Sequence, residues 1–278
     1  MRMYADLHTH STTSDGQYTP AQVVEMAKNT GIQVMALTDH DTVDGIQEAR
    51  STGDKLGIQV LRGIELSAKE YPNLHILGYQ YSGDCPHLRA LCGEMKKSRD
   101  ERKFRIIDYL KAKGIYISLE EVEAISGGKI IGRPHFAQIM VKHGYVKDNR
   151  EAFDRYLDTP EFQTIERFKP DARTCIDTIH ADGGLVSWAH PYQVNLDFDG
   201  TAQLAKKLAD YGIDAMECFY PRHTQEQTCL YCTLTDQLGL HRTGGSDFHG
   251  EKVKPDITLR CWPMDIDWLL KHNKQSEI

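Results

Sequence analysis

Histidine and carboxylate side chains crowd one short segment near the N-terminus, DLHTHSTTSDG at residues 6–16. His8 and His10 are two positions apart, so in an extended strand both imidazoles point to the same face. Imidazole and carboxylate groups bind divalent first-row metals when several of them surround one point. An HxH pair alone is weak evidence of a metal site. It gains weight here because TDHD, GIELS, LHILGY, AHP and SDFH place further histidines and acids along the chain.

The elements that would carry these clusters alternate between strand and helix patterns. The apolar runs MYADL, VMALTDHD and IQVLRGIELSA are separated by the helical runs TPAQVVEMAKNTG and GIQEARSTGDKLG, and GGLVSWAHP, GIDAMECFYP and LHRTGGSDFHG continue the strand pattern. This rhythm predicts an α/β fold with parallel strands and crossover helices. The polar clusters fall at the carboxyl ends of the strands, where βα barrels gather their active sites.

The middle of the chain predicts a helical insertion. Residues 85–114 form one long amphipathic stretch, and Ser118 and Glu121 have the spacing of a capping box before a further helix. No convincing strand follows before Pro170. We therefore expect a barrel made of residues 1–98 and 169–278, with a helical insertion domain at 99–168 that contributes to substrate binding.

Composition narrows the class of protein. The 278 residues carry a formal net charge of −7, which argues against stable binding of duplex nucleic acid. No run of about 18 apolar residues is present, and the opening MRMYADLHTH lacks the apolar core of a secretory signal. Seven scattered cysteines do not form a disulfide framework, and Cys229 and Cys232 have no second pair to complete a zinc site. We expect a cytoplasmic protein with no membrane partner, as a monomer or small homo-oligomer.

Seven segments taken together resemble the polymerase and histidinol phosphatase (PHP) family of metal-dependent phosphoesterases. They occur in the family's order: DLHTHSTTSDG, ALTDHDTVDG, GIELS, HILGY, GRPHFA, WAHP and TGGSDFHG. The resemblance implies a distorted TIM-like (β/α)7 barrel of seven parallel strands, with two to three divalent metal ions in its active site.

The family pattern assigns ligands to three metal positions, and all nine of its residues are present. His8, His10, Glu65 and Asp247 would hold one ion; Glu65 would bridge to a second ion held also by His75 and His190; Asp15, His40 and His249 would hold a third. Mn²⁺ is the expected metal, with Zn²⁺ and Fe²⁺ as alternatives. Asp6, Asp39 and Asp41 flank these ligands and are expected to orient them.

The expected chemistry is hydrolysis by water, since the sequence shows no nucleophile elbow. Clustered metals lower the pKa of a bound water and neutralise charge on phosphoryl oxygens. The resemblance places Asp15, His40, His190 and His249 at the reaction centre. A leaving alkoxide needs a proton or a metal, and the general acid stays open between His190 and His249.

The insertion contains a basic segment, KKSRDERKFR at residues 96–105. Arg99 and Arg102 are three apart and share one helix face, and paired guanidinium groups suit a phosphate. The later segment GGKIIGRPHFA adds Gly127, Gly128, Lys129, Arg133 and His135.

RxxR followed by GRPH, with ECFYPRH near the end, is similar to one bacterial branch of the family. That branch contains 3′,5′-nucleoside bisphosphate phosphatases and 5′→3′ exoribonucleases that act on short RNA. The resemblance implies that Arg99, Arg102, Arg133 and His135 bind the phosphate that is not cleaved. Arg222 and His223 are further candidates for substrate contacts, and Cys218, where the family often has an aliphatic residue, is expected to be buried.

Other classes of protein share parts of this pattern. Histidinol-phosphate phosphatase would need no second phosphate site, so the paired arginines argue against it. An amidohydrolase-type barrel acting on C–N bonds shares the HxH motif and a late aspartate, but needs no arginine clamp. A regulatory module that only binds metal or nucleotide is disfavoured because no ligand is missing from the pattern.

Overall fold

Two compact units make up the chain. The computed structural model describes residues 2–126, 131–165 and 167–272. Met1–Cys92 and Lys169–Ile278 form one unit, which we call the barrel unit, and Gly93–Phe168 form the other, the insertion unit. Along the chain, the insertion unit begins inside a long helix, a few residues before position 99.

One mixed sheet contains the eight strands found in the described residues. They are β1 (Arg2–Thr9), β2 (Val34–Leu37), β3 (Gln59–Ser67), β4 (His75–Tyr79), β5 (Leu185–Trp188), β6 (Ala215–Phe219), β7 (His241–Gly244) and β8 (Trp262–Asp265). Their order across the sheet is β7-β6-β5-β4-β3-β2-β1-β8. The predicted α/β barrel with surrounding helices is confirmed.

Strand direction departs from the expected all-parallel arrangement. β1, β2 and β3 are parallel, as are β5, β6 and β7, but β4 is antiparallel to both of its neighbours and β8 is antiparallel to β1. The reason for β4 lies in its connection to β3. Residues 68–74 are too few for a crossover, which takes about a dozen residues or more between parallel neighbours.

Helices surround the sheet and make up the insertion unit. They are α1 (Pro20–Asn29), α2 (Ile46–Leu56), α3 (Pro86–Ala112), α4 (Leu119–Ser126), α5 (Arg133–Lys142), α6 (Asn149–Ala152), α7 (Pro160–Gln163), α8 (Ala172–Ala181), α9 (Phe198–Asp210), α10 (Gln225–Leu238) and α11 (Asp267–His272). The sequence signals at helix ends are confirmed: Thr19 caps α1, and Ser118 exchanges the two bonds of a capping box with Glu121. In the described part of the chain, no helix is both long and apolar enough to span a bilayer.

The two halves of β1 have different partners, and this closes the barrel. Its first residues pair with β8, whereas at its far end Thr9 forms a parallel bridge to Phe248 in the segment after β7. The Asp247 amide donates to the His8 carbonyl oxygen at 2.8 Å. Below this edge a buried core contains Leu7 and Tyr79, whose hydroxyl donates to the Leu7 carbonyl oxygen at 2.9 Å.

Gly245 lies where the barrel closes, and a substitution there shows how tightly the chain is packed at that point. A Cβ atom there would lie 2.2 Å from the Cβ of His8 and 2.6 Å from its amide nitrogen. Gly245→Ala should therefore lower the free energy of unfolding by about 2–3 kcal/mol, measured by urea denaturation. Gly93→Ala is the control, because its Cβ would meet nothing within 4 Å and alanine favours the helix. Equal stability of the two variants would contradict tight closure.

Candidate metal centre

Strand ends bring the predicted ligands to one edge of the barrel unit. β1 supplies His8 and leads on to His10, β3 contains Glu65, and the segments after β1, β2, β5 and β7 carry Asp15, His40, His190, Asp247 and His249. His75 is the first residue of β4. It reaches the same edge because β4 runs antiparallel to its neighbours, so the reversed strand is what adds this imidazole.

Glu65 is fully buried and lies between five imidazoles. One carboxylate oxygen, Oε2, lies 3.1 Å from the Nε2 atoms of both His8 and His10 and 3.2 Å from His40 Nδ1. The other, Oε1, lies 2.9 Å from His75 Nδ1 and 2.9 Å from His190 Nε2. A single carboxylate therefore faces two groups of histidines, one through each oxygen.

Three sets of donor atoms in the described residues converge closely enough to hold an ion. They are His8, His10, Glu65 and Asp247; His10, Asp15, His40 and His249; and His40, Glu65 and His75. Two of these sets contain the predicted first and third ligand groups whole. Around the predicted second position the structure brings in His40, while His190 contacts the same Glu65 oxygen as His75.

Several buried donor atoms of the cluster lie close to one another but form no hydrogen bond of good geometry. They are His8 Nε2, both ring nitrogens of His10, His40 Nδ1, Glu65 Oε2 and His190 Nδ1. Buried polar atoms in native proteins are almost always paired. Most of these atoms belong to the converging sets, and imidazole and carboxylate are suitable donors for first-row divalent ions. The residues present therefore fit a cluster of metal ions.

The carboxylates of the cluster are held in their ionised form. Burial raises the pKa of the Glu65 carboxyl, but its interactions with His40, His8 and His75 outweigh burial and hold that pKa well below its usual range. Asp247 behaves in the same way: burial raises its pKa, and the charge of His8 together with other neighbours lowers it further than burial raises it.

Two histidines balance these negative charges in the metal-free protein. Burial lowers the pKa of His8, but Glu65 and Glu217 outweigh it and raise that pKa well above the usual value. Burial likewise lowers the pKa of His10, and its close contacts with Asp247 and Glu65 raise it to about 9. Both rings therefore carry protons at neutral pH, in the place where metal ions would otherwise supply the positive charge.

Glu217 is a buried residue of the site that the sequence did not reveal. It lies in β6, and its carboxylate accepts from His8 Nδ1 at 3.2 Å and from the His190 backbone amide at 2.7 Å. The bond to Nδ1 turns Nε2 of His8 towards Glu65. The only signal in the sequence is an acid inside the apolar run AMECF, which has no meaning until its neighbours are known.

The three predicted flanking aspartates hold backbone and hydroxyl groups around the ligands. Asp6 accepts from the amide of Ser246 at 2.8 Å and from that of Arg260 at 3.1 Å. Asp39 accepts from the amide and the hydroxyl of Ser11, both at 2.7 Å. Asp41 accepts from the amide of Ser67 at 3.0 Å. Each ties together two segments that carry ligands.

The insertion unit gathers arginines of its own. Arg102 donates through Nε to the Ile165 carbonyl oxygen at 2.8 Å, and burial together with the nearby charges of Arg133 and Arg167 lowers its pKa. Arg133 is paired with Asp158. Arg99 is partly buried on the same helix, α3. Gly127, Gly128 and Lys129 of the predicted basic set lie outside the described residues.

His135 has a definite tautomer in its neutral form. Its Nδ1 accepts from the Gly132 amide at 2.9 Å, so the proton is on Nε2 and can be donated to an anion.

The ECFYPRH segment has mainly structural contacts. Arg222 forms a bidentate pair with Asp256, at 2.7 and 2.8 Å from Nη2, and this pairing raises its pKa. His223 contacts the Cys218 carbonyl oxygen at 3.1 Å.

Cys218 is fully buried, as expected. Cys232 contacts the thiol of Cys218, and this contact lowers the Cys232 pKa to about 7.

The chain is similar to a known protein family and to several known proteins. The model of the PHP domain matches residues 6–164. A 5'-3' exoribonuclease of Haemophilus influenzae is 34% identical over 245 residues, which cover 88% of this chain and 89% of that protein. A phosphoribosyl 1,2-cyclic phosphate 1,2-diphosphodiesterase of Eggerthella lenta is 32% identical, covering 90% and 95%. A 3',5'-nucleoside bisphosphate phosphatase of Chromobacterium violaceum is 30% identical, covering 88% and 86%.

A solved structure has a similar fold. A Bifidobacterium adolescentis protein described as a metal-dependent phosphoesterase superposes with a TM-score of 0.74 at 28% identity, covering 98% of this chain and 96% of that one.

The protonated histidines predict that metal binding releases protons. Because a metal ligand must be a neutral imidazole and the pKa of His10 is about 9, Mn²⁺ affinity should rise with pH from 7 towards 9. Calorimetric titrations with Mn²⁺ in HEPES and in Tris should give different heats, since the released protons ionise the two buffers differently. His10→Asn should release fewer protons. Identical heats in both buffers would show that the rings are already neutral.

Proposed function

The chain belongs to the PHP-domain family of metal-dependent phosphoesterases, and on this basis we propose that it hydrolyses a phosphate ester of 3′,5′-nucleoside bisphosphates or of the 5′ end of short oligoribonucleotides. The observation that carries the proposal is the convergence of five imidazoles on the buried Glu65, several of whose nitrogens form no hydrogen bond of good geometry. The nucleotide part comes from the named relatives, two of which act on RNA and on nucleoside bisphosphates.

Two to three divalent ions would be held by the nine clustered residues. We assign His8, His10, Glu65 and Asp247 to one ion, Glu65, His75 and His190 to a second, and Asp15, His40 and His249 to a third. The converging donor sets support the first and third groups, and the contacts of Glu65 support its role between them. The mixture of imidazole and carboxylate favours Mn²⁺ and is compatible with Zn²⁺ or Fe²⁺.

The exposure of the clustered side chains indicates the side from which the substrate reaches them. When bound, the ions would activate water and neutralise charge on the phosphoryl oxygens. Asp15 is 46% exposed and His40 is 21% exposed, whereas Glu65 and His8 are fully buried. Substrate therefore reaches the cluster beside Asp15, His40 and His249, whose Nε2 lies 3.3 Å from Asp15 Oδ1.

We propose that the proton for the leaving oxygen comes from His190 or His249, whichever is not bound to a metal ion. His190 Nε2 contacts Glu65 and its Nδ1 is buried. His249 directs Nε2 to the partly exposed Asp15, and its Nδ1 contacts the Asp247 carbonyl oxygen at 2.9 Å.

A second phosphate would be bound by Arg99, Arg102, Arg133 and His135. Burial lowers the pKa of Arg102, and the nearby charges of Arg133 and Arg167 lower it further; this crowding of positive charge supports the proposal, because an anion would relieve it. The Nε2–H group of His135 is a suitable donor for a phosphate oxygen.

We also place the reaction in the cytoplasm, since all seven cysteines are free thiols.

Substrate choice tests the proposal directly. Phosphate or nucleotide release is measured with Mn²⁺ on adenosine 3′,5′-bisphosphate, a 5′-phosphorylated RNA pentamer, 5′-AMP, a ribose 1,2-cyclic phosphate and histidinol phosphate. We expect the bisphosphate or the RNA to be preferred, and Asp247→Asn to be inactive while still folded. Activity confined to histidinol phosphate or to the cyclic phosphate would overturn the assigned substrate class, and hydrolysis of amide substrates alone would favour an amidohydrolase.

The insertion arginines should distinguish substrates with one phosphate from those with two. Arg99→Ala and Arg133→Ala should raise KM for adenosine 3′,5′-bisphosphate by about tenfold or more, because a hydrogen bond to a charged group contributes about 1.5–3 kcal/mol. KM for p-nitrophenyl phosphate should stay nearly constant. Arg150→Ala, which changes an arginine that is 90% exposed in the same unit, is the matched control. Equal changes in KM for both substrates would contradict the proposed second phosphate site.

A further inference from the structure

The two oxygens of the Asp247 carboxylate face different surroundings. Oδ1 lies 3.4 Å from His10 Nε2 and 3.7 Å from His8 Nε2, on the side of the ligand cluster. Oδ2 accepts from the hydroxyl of Tyr220 at 3.0 Å and from the ammonium group of Lys254 at 2.6 Å. Two donors thus occupy the oxygen that points away from the cluster, and the sequence patterns indicated neither of them.

Tyr220 is fixed by its packing. Only 5% of the residue is exposed, and its ring lies edge-on to His190 with centroids 5.9 Å apart. Tyr192 and His223 pack against it at centroid distances of 5.4 and 5.1 Å. The surrounding rings therefore hold in place the hydroxyl that donates to Asp247 Oδ2.

Lys254 is held by a loop that is anchored on two sides. The Lys252 amide donates to Gln17 Oε1 at 2.8 Å, which ties the loop to the segment after β1. Asp256 pairs with Arg222, which ties it to the segment after β6. The Lys254 side chain is 26% exposed, so it approaches Asp247 from the solvent side while the loop limits its movement.

We infer that Tyr220 and Lys254 are positioning residues that hold Asp247 as a one-oxygen metal ligand. With Oδ2 occupied by two donors, only Oδ1 is available to an ion, and the carboxylate cannot rotate to offer both oxygens. Asp247 also has a positive φ of 56°, so its backbone is strained and needs such support. The inference rests on the proposed function only in that Asp247 binds a metal.

Tyr220→Phe tests the first donor without changing the size of the side chain. Mn²⁺ binding should weaken by about tenfold, because partners of a metal ligand typically contribute 10–100-fold in affinity. Calorimetry measures the affinity, and the EPR spectrum of bound Mn²⁺ reports the ligand arrangement. Tyr231→Phe is the matched control, since Tyr231 is buried in the same aromatic cluster but packs on His223. It should leave both readouts unchanged.

Lys254 needs a different readout. Lys254→Met removes a donor and also a positive charge, and the loss of charge by itself would strengthen cation binding. The EPR spectrum is therefore the measure: Lys254→Met should change it, and Lys254→Arg, which keeps charge and donor, should restore it. Lys252→Met, in the same loop but exposed, is the control.

The inference is overturned if Tyr220→Phe binds Mn²⁺ with the wild-type affinity and both Tyr220→Phe and Lys254→Met give the wild-type EPR spectrum. That result would leave the proposed function intact as long as the wild-type enzyme cleaves phosphate esters. Conversely, a wild-type protein that binds Mn²⁺ but cleaves no ester would refute the proposed function, while the metal measurements would still decide the roles of Tyr220 and Lys254. If Tyr220→Phe does not fold, Lys254→Met probes the same oxygen.

Discussion

Keeping the buried Glu65 carboxylate ionised is the constraint on which this edge of the barrel depends. Burying an isolated charge costs many kcal/mol, so a buried carboxylate must be paired. Through its two oxygens, Glu65 contacts four imidazoles from the ends of β1, β2 and β5 and a fifth from the start of β4. In the metal-free protein, protons on His8 and His10 supply the positive charge. Divalent ions would replace those protons and preserve the balance, which is why such a site can be buried at all.

The barrel is modified where this cluster needs it. An all-parallel sheet would put the first residue of every strand at the opposite edge from the last. The antiparallel β4 instead delivers His75 beside Glu65, two residues that would otherwise be separated by the length of a strand. The closure between β1 and the segment after β7 brings Asp247 next to His8, and it does so through backbone bonds. Strained backbone at His190 and Asp247 is the cost of aiming these side chains inward.

Buried glutamate and aspartate side chains around the predicted ligands hold the segments that carry those ligands. Glu217 orients His8 and also holds the backbone of His190, so one carboxylate couples two ligands of different groups. Asp6 and Asp39 do the same for segments of backbone. The insertion unit holds a separate group of interacting positive charges, which includes Arg102, Arg133 and Arg167.

The sequence by itself determined the parts that depend on local periodicity and on residue type. The HxH spacing put two imidazoles on one face, the helix caps at Thr19 and Ser118 were readable, and the motif order assigned nine residues that the fold brings together. Only the tertiary structure decided the direction of β4, the eighth strand, and the partners of the ligands.

Glu217 lies 209 positions from His8, and Tyr220 lies 27 from Asp247. Arg222 pairs with Asp256, 34 positions further along the chain. Local patterns fix which face of an element a side chain occupies. The neighbour it meets there is set by packing between segments distant in the chain, and a single sequence does not encode that in any local signal.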